Sequence, residues 1–263
     1  MILTAIQALK RGVLAHKKGN LQEAEQFYRA VLTSNSRHIS TPYDIDIVAE
    51  AHTNLGVTLQ QKGDLTAAIE SFKLAVTIKP DYTEVYYLMA SSYLNIGDVR
   101  ASIDCYQEAV NNNPVNIGAL NHLGVALQQN GELDASIEIY KKALNISQEH
   151  AEIYNNLGNT LHEKGELDAA IGSFKEAISL HPNYANAYNN MGHALHDKGD
   201  LAGSLDCYKC ALKILPDSAE AHNNIGNALR EAGEYQEAIQ HFDCIAPESD
   251  PSKHLFWFNS NAQ

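Results

Sequence analysis

The chain repeats a segment of 34 residues, and no other feature constrains its fold so strongly. The segment from Ala151 to Pro182 returns from Ala185 to Pro216 and again from Ala219 onward. A glycine marks the same place in each copy, and it occurs seven times: Gly19, Gly63, Gly97, Gly131, Gly165, Gly199 and Gly233. Self-similarity at a fixed period of this length predicts a solenoid, in which one supersecondary unit stacks on the next.

The spacing of these glycines sets the register of the repeats. The first interval is 44 residues and the others are 34, so ten residues, 39–48, are inserted after the first repeat. With each glycine at position 15, the seven repeats begin at Ala5, Ala49, Thr83, Ile117, Ala151, Ala185 and Ala219.

The insertion itself contains a proline, Pro42, which predicts that it begins as a loop. Asp44 or Asp46 could cap an early start of the next helix, with Ile45 and Val48 on its buried side. A structural hinge and a functional loop are both open interpretations of this segment.

Each repeat is predicted to form two helices. In the fifth repeat, apolar residues recur at helical spacing around Gly158, which leaves room for a close approach. Gly165 permits the left-handed residue that ends a helix, and the second helix opens after Glu166 and closes before Pro182. Better N-cap residues than glutamate occupy the position of Glu166 in four other repeats: Asn20, Asp64, Asp98 and Asp200.

This pattern resembles the tetratricopeptide repeat (TPR) family, whose members carry characteristic residues at positions 4, 7, 8, 11, 15, 20, 24, 27 and 32. The second repeat supplies them in that order as His52, Leu55, Gly56, Leu59, Gly63, Ala68, Phe72, Ala75 and Pro80. The resemblance extends from Ala5 to about Asp250. It implies an all-α, right-handed superhelical solenoid of seven helix-turn-helix units over residues 1–250, with the first helices on the inner, concave wall.

The last thirteen residues, 251–263, carry a cluster of aromatic side chains, Phe256, Trp257 and Phe258. The cluster predicts a capping helix packed on the seventh repeat. Two alternatives remain open. The segment could be the truncated start of a longer chain, or it could mediate self-association with a second copy.

Composition limits the partners. The formal net charge is −13, which argues against nucleic acid or an anionic membrane surface as a partner. No apolar run is long enough to span a membrane, and the N-terminus lacks the order of a secretory signal. We therefore expect a cytoplasmic protein.

The four cysteines do not predict a disulfide framework. Cys105 and Cys207 share position 23, whereas Cys210 and Cys244 share position 26. Equivalent residues of adjacent repeats should lie about 10 Å apart, which is too far for a disulfide. Packed free thiols are expected.

Asparagine recurs on the first helices although it is a poor helix former. Position 6 carries Asn54, His122, Asn156, Asn190 and Asn224, and position 9 adds Asn159 and Asn227. An asparagine amide has a donor and an acceptor, so it can pair with the N–H and C=O of a bound peptide whatever that peptide's sequence. The alternative is that these amides bond to each other, or to a neighbouring helix, between repeats.

This row of asparagines is similar to that of the repeat domain of the O-linked N-acetylglucosamine transferases, where inner-wall asparagines bind the backbone of protein substrates. The resemblance implies a mode of recognition and no activity, because the transferase's catalytic domain is not in these residues. Nor does the sequence contain a nucleophile elbow, a phosphate loop or another catalytic constellation, and no cofactor is predicted.

Charged side chains occupy two further positions of the first helices. Position 2 carries Glu50, Glu84, Glu152 and Glu220, which either favour a basic or neutral peptide or stabilise the first helical turn. His162 and His196 share position 12, with His193 one turn before His196. No metal site is predicted, because no carboxylate or cysteine completes the set, but protonation of these histidines could tune binding.

Together these patterns predict a non-enzymatic interaction scaffold that holds an extended segment of another protein along its concave surface. One alternative is the substrate-recognition portion of a larger enzyme, of glycosyltransferase, sulfotransferase or oxygenase type. Another is an assembly scaffold whose partners dock on the convex face or on the ends.

Overall fold

The computed structural model describes residues 4–35 and 42–245, which form helices joined by short turns, without strands in these ranges. The predicted all-α fold is confirmed, because the helices pack as helix-turn-helix pairs, one pair for each repeat. In chain order the helices are α1 (Ala5–Lys17), α2 (Leu21–Asn35), α3 (Pro42–Gln61), α4 (Leu65–Ile78), α5 (Thr83–Asn95), α6 (Val99–Asn112), α7 (Ile117–Gln129), α8 (Leu133–Ile146), α9 (Ala151–Glu163), α10 (Leu167–Leu180), α11 (Ala185–Asp197), α12 (Leu201–Ile214), α13 (Ala219–Glu231) and α14 (Tyr235–Asp243).

The helices belong to two compact units, here called the N-terminal half, which ends at Gln148, and the C-terminal half, which begins at Glu149. Helices α1–α8 lie in the first and α9–α14 in the second. Within each half, the two helices of a repeat pack on each other, and each second helix also packs on the first helix of the next repeat.

Glycine ends the first helix of every repeat. All seven glycines at position 15 have a positive φ, between 76° and 89°. A Cβ built on Gly165 would meet nothing within 4 Å, so the left-handed backbone, and not a lack of space, requires glycine there.

The second helices begin as the sequence predicts. Asp64, Asp98 and Asp200 each accept a hydrogen bond at a side-chain oxygen from the backbone N–H three residues later. Glu166 occupies the same place in α10 and makes no such bond. The shorter aspartate therefore caps its helix, whereas the glutamate does not.

In six of the seven repeats an aromatic ring packs against a glycine, and the third repeat carries Ala90 in the place of that glycine. The rings at position 24 are almost completely buried in six repeats: Tyr28, Phe72, Tyr106, Tyr140, Phe174 and Tyr208. A Cβ on Gly158 would lie 2.5 Å from Cε1 of Phe174, which confirms the close approach expected at this glycine.

The described part of the insertion is helical. Because α3 already begins at Pro42, Asp44 lies inside its first turn and neither Asp44 nor Asp46 is the N-cap residue, so that prediction is wrong. The expectation for Ile45 is also wrong: Ile45 is 38% exposed, whereas Ile47 and Val48 are buried. The start of the insertion and the predictions for residues 251–263 lie outside the described residues.

Candidate functional site

A row of paired asparagines crosses the first helices of the C-terminal half. Asn190 of α11 donates from Nδ2 to Oδ1 of Asn155 on α9, at 3.0 Å. One repeat later, Asn224 of α13 donates from Nδ2 to Oδ1 of Asn189 on α11, at 2.9 Å. We call these pairs the first and the second rung. In both, position 6 of one repeat bonds to position 5 of the repeat before, which is the inter-repeat bonding left open by the sequence.

In each rung, a buried position-5 asparagine holds the more exposed position-6 asparagine in place. Asn155 and Asn189 are each 5% exposed, whereas Asn190 and Asn224 remain partly exposed. A buried amide that must be satisfied fixes the rotamer of the amide that satisfies it. The side chains of Asn190 and Asn224 are therefore fixed by buried neighbours and remain accessible to solvent.

The orientation of the second rung follows from a carboxylate. Asn189 donates from Nδ2 to Oε1 of Glu220 at 2.6 Å. Because a carboxylate only accepts, the NH₂ group of Asn189 must face Glu220 and its oxygen must face Asn224. Asn224 then has to present its own NH₂ group to that oxygen.

His193 completes the second rung. Its Nε2 lies 3.0 Å from Nδ2 of Asn224, and since the amide nitrogen only donates, Nε2 is the acceptor. Burial is the largest influence on the pKa of His193 and lowers it, which favours the neutral ring that can accept. Tyr208 packs edge-on against the ring, with centroids 5.5 Å apart.

The two rungs therefore differ in the hydrogen-bonding groups that remain available to a ligand. Both hydrogens of the Asn224 amide are occupied, by Asn189 and His193, so its oxygen alone is left for a ligand. Asn190 bonds through its side chain to Asn155 alone within the described ranges, and keeps one N–H and its oxygen. The neighbour at position 9 of the first rung is Asn159 and not a histidine.

The other predicted ligand-binding residues occupy varied surroundings. Asn156, Asn159 and Asn227 are partly exposed on α9 and α13. In the N-terminal half, Asn54 is partly exposed on α3, and the residue at position 5 one repeat earlier is Leu9, which cannot form a rung.

His122 replaces the asparagine on α7 and packs differently. Its exposed ring stacks on Tyr106, with centroids 5.6 Å apart and planes 12° apart, and it meets Tyr87 edge-on. The N-terminal half thus has an aromatic contact where the C-terminal half has amide pairs.

A second row of inter-repeat contacts joins histidines to carboxylates. His162 Nε2 lies 2.7 Å from Oδ2 of Asp197, and His196 Nε2 lies 2.9 Å from Oε2 of Glu231. The sequence did not predict these carboxylate partners of the histidines. The signal in the sequence was the recurrence of a carboxylate at position 13 of three successive repeats, Glu163, Asp197 and Glu231.

Within this row of histidine–carboxylate contacts, the pKa of Asp197 departs clearly from its ordinary value. Burial acts to raise the pKa of Asp197, but its hydrogen bonds and charge interactions with His162 and His196 outweigh burial and leave that pKa lowered. No three or more His, Cys, Asp or Glu side chains in the described ranges are arranged to hold a metal ion.

The cysteines are free thiols in contrasting surroundings. Cys105 and Cys207 are buried, Cys210 is partly exposed and Cys244 is exposed. Burial raises the pKa of Cys105 to about 12 and that of Cys207 to about 11, so neither forms the reactive thiolate near neutral pH. Within the described ranges, the longest and most apolar helices still fall short of what a membrane crossing requires.

Comparison with solved structures gives helical repeat proteins. A tetratricopeptide repeat protein from Parabacteroides merdae is 18% identical, with 96% of each chain covered and a TM-score of 0.70. MamA is 28% identical over 62% of this chain and 89% of its own, with a TM-score of 0.55. YrrB, described as a TPR protein with an unusual peptide-binding site, is 19% identical over 74% of this chain and 95% of its own, with a TM-score of 0.58.

Family models match along most of the sequence, whereas no curated protein sequence matches it significantly. A model described as TPR repeat matches residues 129–165 and 158–199. Models described as tetratricopeptide repeat match 183–246, 49–82, 9–38 and 83–116. The matches at 49–82 and 83–116 coincide with the second and third repeats, and the chain belongs to the tetratricopeptide repeat family.

Proposed function

We propose that the protein is an interaction scaffold whose C-terminal half binds an extended peptide segment across α9, α11 and α13. Tetratricopeptide repeat proteins are protein-interaction scaffolds. The observation that carries the finer proposal is the pair of rungs, in which Asn190 and Asn224 are anchored by buried asparagines and keep hydrogen-bonding groups for a ligand.

Preorganisation makes these amides useful for binding. An anchored side chain loses little conformational freedom when a ligand arrives, so more of each hydrogen bond is expressed as affinity. A net contribution of about 1 kcal/mol per bond is typical. Because the contacts are to backbone groups, such a surface accepts many sequences that share an extended conformation.

The surroundings of the rungs suggest the charge of the segment. Glu152 and Glu220 are exposed at position 2 of α9 and α13. Helices α9, α11 and α13 together carry five acidic side chains but only one arginine, Arg230, and no lysine. A neutral or basic segment is therefore favoured over an acidic one. Asn156, Asn159 and Asn227 would extend the row within the C-terminal half.

The test begins with peptides selected from a random display library on the wild-type protein. We expect Asn190→Ala to weaken a selected peptide about fivefold to tenfold by calorimetry, and the triple variant Asn156→Ala, Asn190→Ala, Asn224→Ala to weaken it further. The matched control is Asn183→Ala, an exposed asparagine in the turn before α11, which should change affinity less than about twofold.

A second arm tests backbone recognition without changing the protein. N-methylation of the selected peptide at single residues removes one N–H donor at a time, and two or more positions should lose affinity. Circular dichroism must show equal helicity in all variants. Failure to select any peptide, or equal binding by the wild type and the triple variant, would overturn the proposal.

A further inference from the structure

We propose that His193 determines which hydrogen-bonding group the second rung offers to a bound segment, and that protonation of His193 reverses the choice. The inference rests on the proposed function, since it concerns the selectivity of the same row. It is carried by the geometry of Asn224, whose amide nitrogen bonds to both Asn189 and His193.

With a neutral His193 ring, the second rung is an acceptor. Nδ2 of Asn224 has two hydrogens, and both are taken, so the exposed part of the amide is its oxygen. A segment can satisfy this oxygen only with an N–H group. The residue that lies there can be almost any amino acid but not proline, which has no backbone N–H.

The first rung is the internal comparison. It has the same position-5 and position-6 asparagines, but Asn159 stands where His193 stands in the next repeat. Asn190 has no side-chain partner other than Asn155 in the described ranges, so it keeps one donor and one acceptor. Asn190 can therefore pair with both the N–H and the C=O of a bound backbone. At a proline residue, which has no N–H, its remaining N–H can still donate to the backbone carbonyl oxygen.

A protonated His193 cannot keep this arrangement. Its Nε2 would become a donor facing the donor Nδ2 of Asn224 across 3.0 Å. Turning the Asn224 amide restores that bond, but it places two oxygens against each other in the rung, because Glu220 holds the Asn189 oxygen in place. The rung bond is lost, and the group presented to the segment changes from an oxygen to an N–H.

Charged groups on three helices face His193. His162 on α9 and His196 on its own helix disfavour its protonation, whereas Glu220 on α13 and Asp197 on its own helix favour it. Burial is the largest influence and disfavours protonation. The pKa of His193 is therefore lowered, and the switch operates below the ordinary histidine value of 6.5.

The first experiment needs no ligand. Nuclear magnetic resonance of the free, ¹⁵N-labelled protein should show His193 with Nε2 unprotonated at about pH 7.5. The side-chain NH₂ signals of Asn224 should titrate with the same midpoint as His193, and that midpoint should disappear from Asn224 in His193→Asn. An Nε2–H tautomer at neutral pH, or an Asn224 signal that does not follow His193, would overturn the inference.

The second experiment uses a peptide selected on the wild-type protein at about pH 7.5. Its affinity should fall about fivefold at about pH 5.5 for the wild type and less than about twofold for His193→Asn, which copies Asn159 of the first rung. His196→Gln is the control, because it replaces another histidine of the helix with the residue that position 12 carries in the second and fourth repeats, Gln60 and Gln128. It should leave the fivefold change intact.

The outcomes separate the two proposals. If no peptide is selected but the Asn224 and His193 signals titrate together, the proposed function fails, whereas the coupling of the Asn224 amide to protonation of His193 stands. If peptides bind through the row and His193→Asn keeps the full pH dependence, the proposed function stands and His193 has no role in selectivity.

Discussion

The ring of Phe174 lies directly against the α-carbon of Gly158, so that a Cβ on this residue would be 2.5 Å from Cε1 of the ring. Phe174 is completely buried and cannot withdraw without leaving a void. We expect Gly158→Ala to lower the free energy of unfolding by about 1–3 kcal/mol, measured by urea denaturation.

The neighbouring helix provides the control for this prediction. Gly172 lies inside α10, and a Cβ there would meet nothing within 4 Å. Gly172→Ala should therefore raise the free energy of unfolding by about 0.5–1 kcal/mol, because alanine has less backbone freedom to lose. The two glycine-to-alanine changes in this repeat should therefore shift the free energy of unfolding in opposite directions. A decrease from both would contradict the open space beside Gly172.

The N-caps offer a stabilising substitution. Glu166 makes no cap, whereas Asp64, Asp98 and Asp200 do so from the equivalent position. Glu166→Asp should raise the free energy of unfolding by about 0.5 kcal/mol by supplying that bond. Glu176→Asp in the middle of α10 should instead lower it by a few tenths of a kcal/mol, because aspartate is the poorer helix former.

Thiol labelling should report the burial of each cysteine. The exposed Cys244 should react with a maleimide first and Cys210 more slowly. Cys105 and Cys207 should react only after denaturant is added, because burial both shields them and raises their pKa values. Mass spectrometry of the labelled peptides distinguishes the sites, and labelling of Cys105 in the native state would contradict the packing of α6.

Acid should destabilise the fold through three histidines. Burial lowers the pKa values of His52, His193 and His241, so below the ordinary value of 6.5 the unfolded chain takes up protons more readily than the folded one. Stability should be constant above that pH and should fall as the pH drops below it. Urea midpoints between about pH 7.5 and about pH 5 measure the slope.

One variant isolates a single contribution to this slope. His52 has a buried Nδ1 without a hydrogen-bond partner in the described ranges, and its position carries tyrosine in three other repeats: Tyr86, Tyr154 and Tyr188. His52→Tyr should flatten the dependence of stability on pH. An unchanged slope would mean that His52 contributes nothing to it.

Much of the fold could be predicted because its determinants are local and repeated. The position-15 glycines place the turn within every repeat, since no other residue adopts a positive φ so cheaply. The contrast between Asp200 and Glu166 also follows from side-chain length alone. The exception is Ile45: the sequence shows a helical stretch near it, but the face that is buried depends on where α3 begins.

The candidate site is harder to predict because its contacts join different repeats. The sequence identifies Asn190 and Asn224 as unusual, but it does not reveal that Asn189, Glu220 and His193 set the orientation of the second amide. The pairing of His162 with Asp197 was missed for the same reason. Aligning the repeats places position 12 beside position 13 of the next repeat only once the packing of successive first helices is known.

The rungs and the histidine–carboxylate pairs all join residues that are 35 apart, one more than the repeat. Loss of one whole repeat, such as 185–218, would therefore bring Asn224 opposite Asn155, with Asn159 in the place of His193. Duplication or loss of a repeat would thus lengthen or shorten the row of asparagine pairs without a new kind of contact. The number of pairs can change in whole steps, while each pair keeps the same bond between position 5 and position 6.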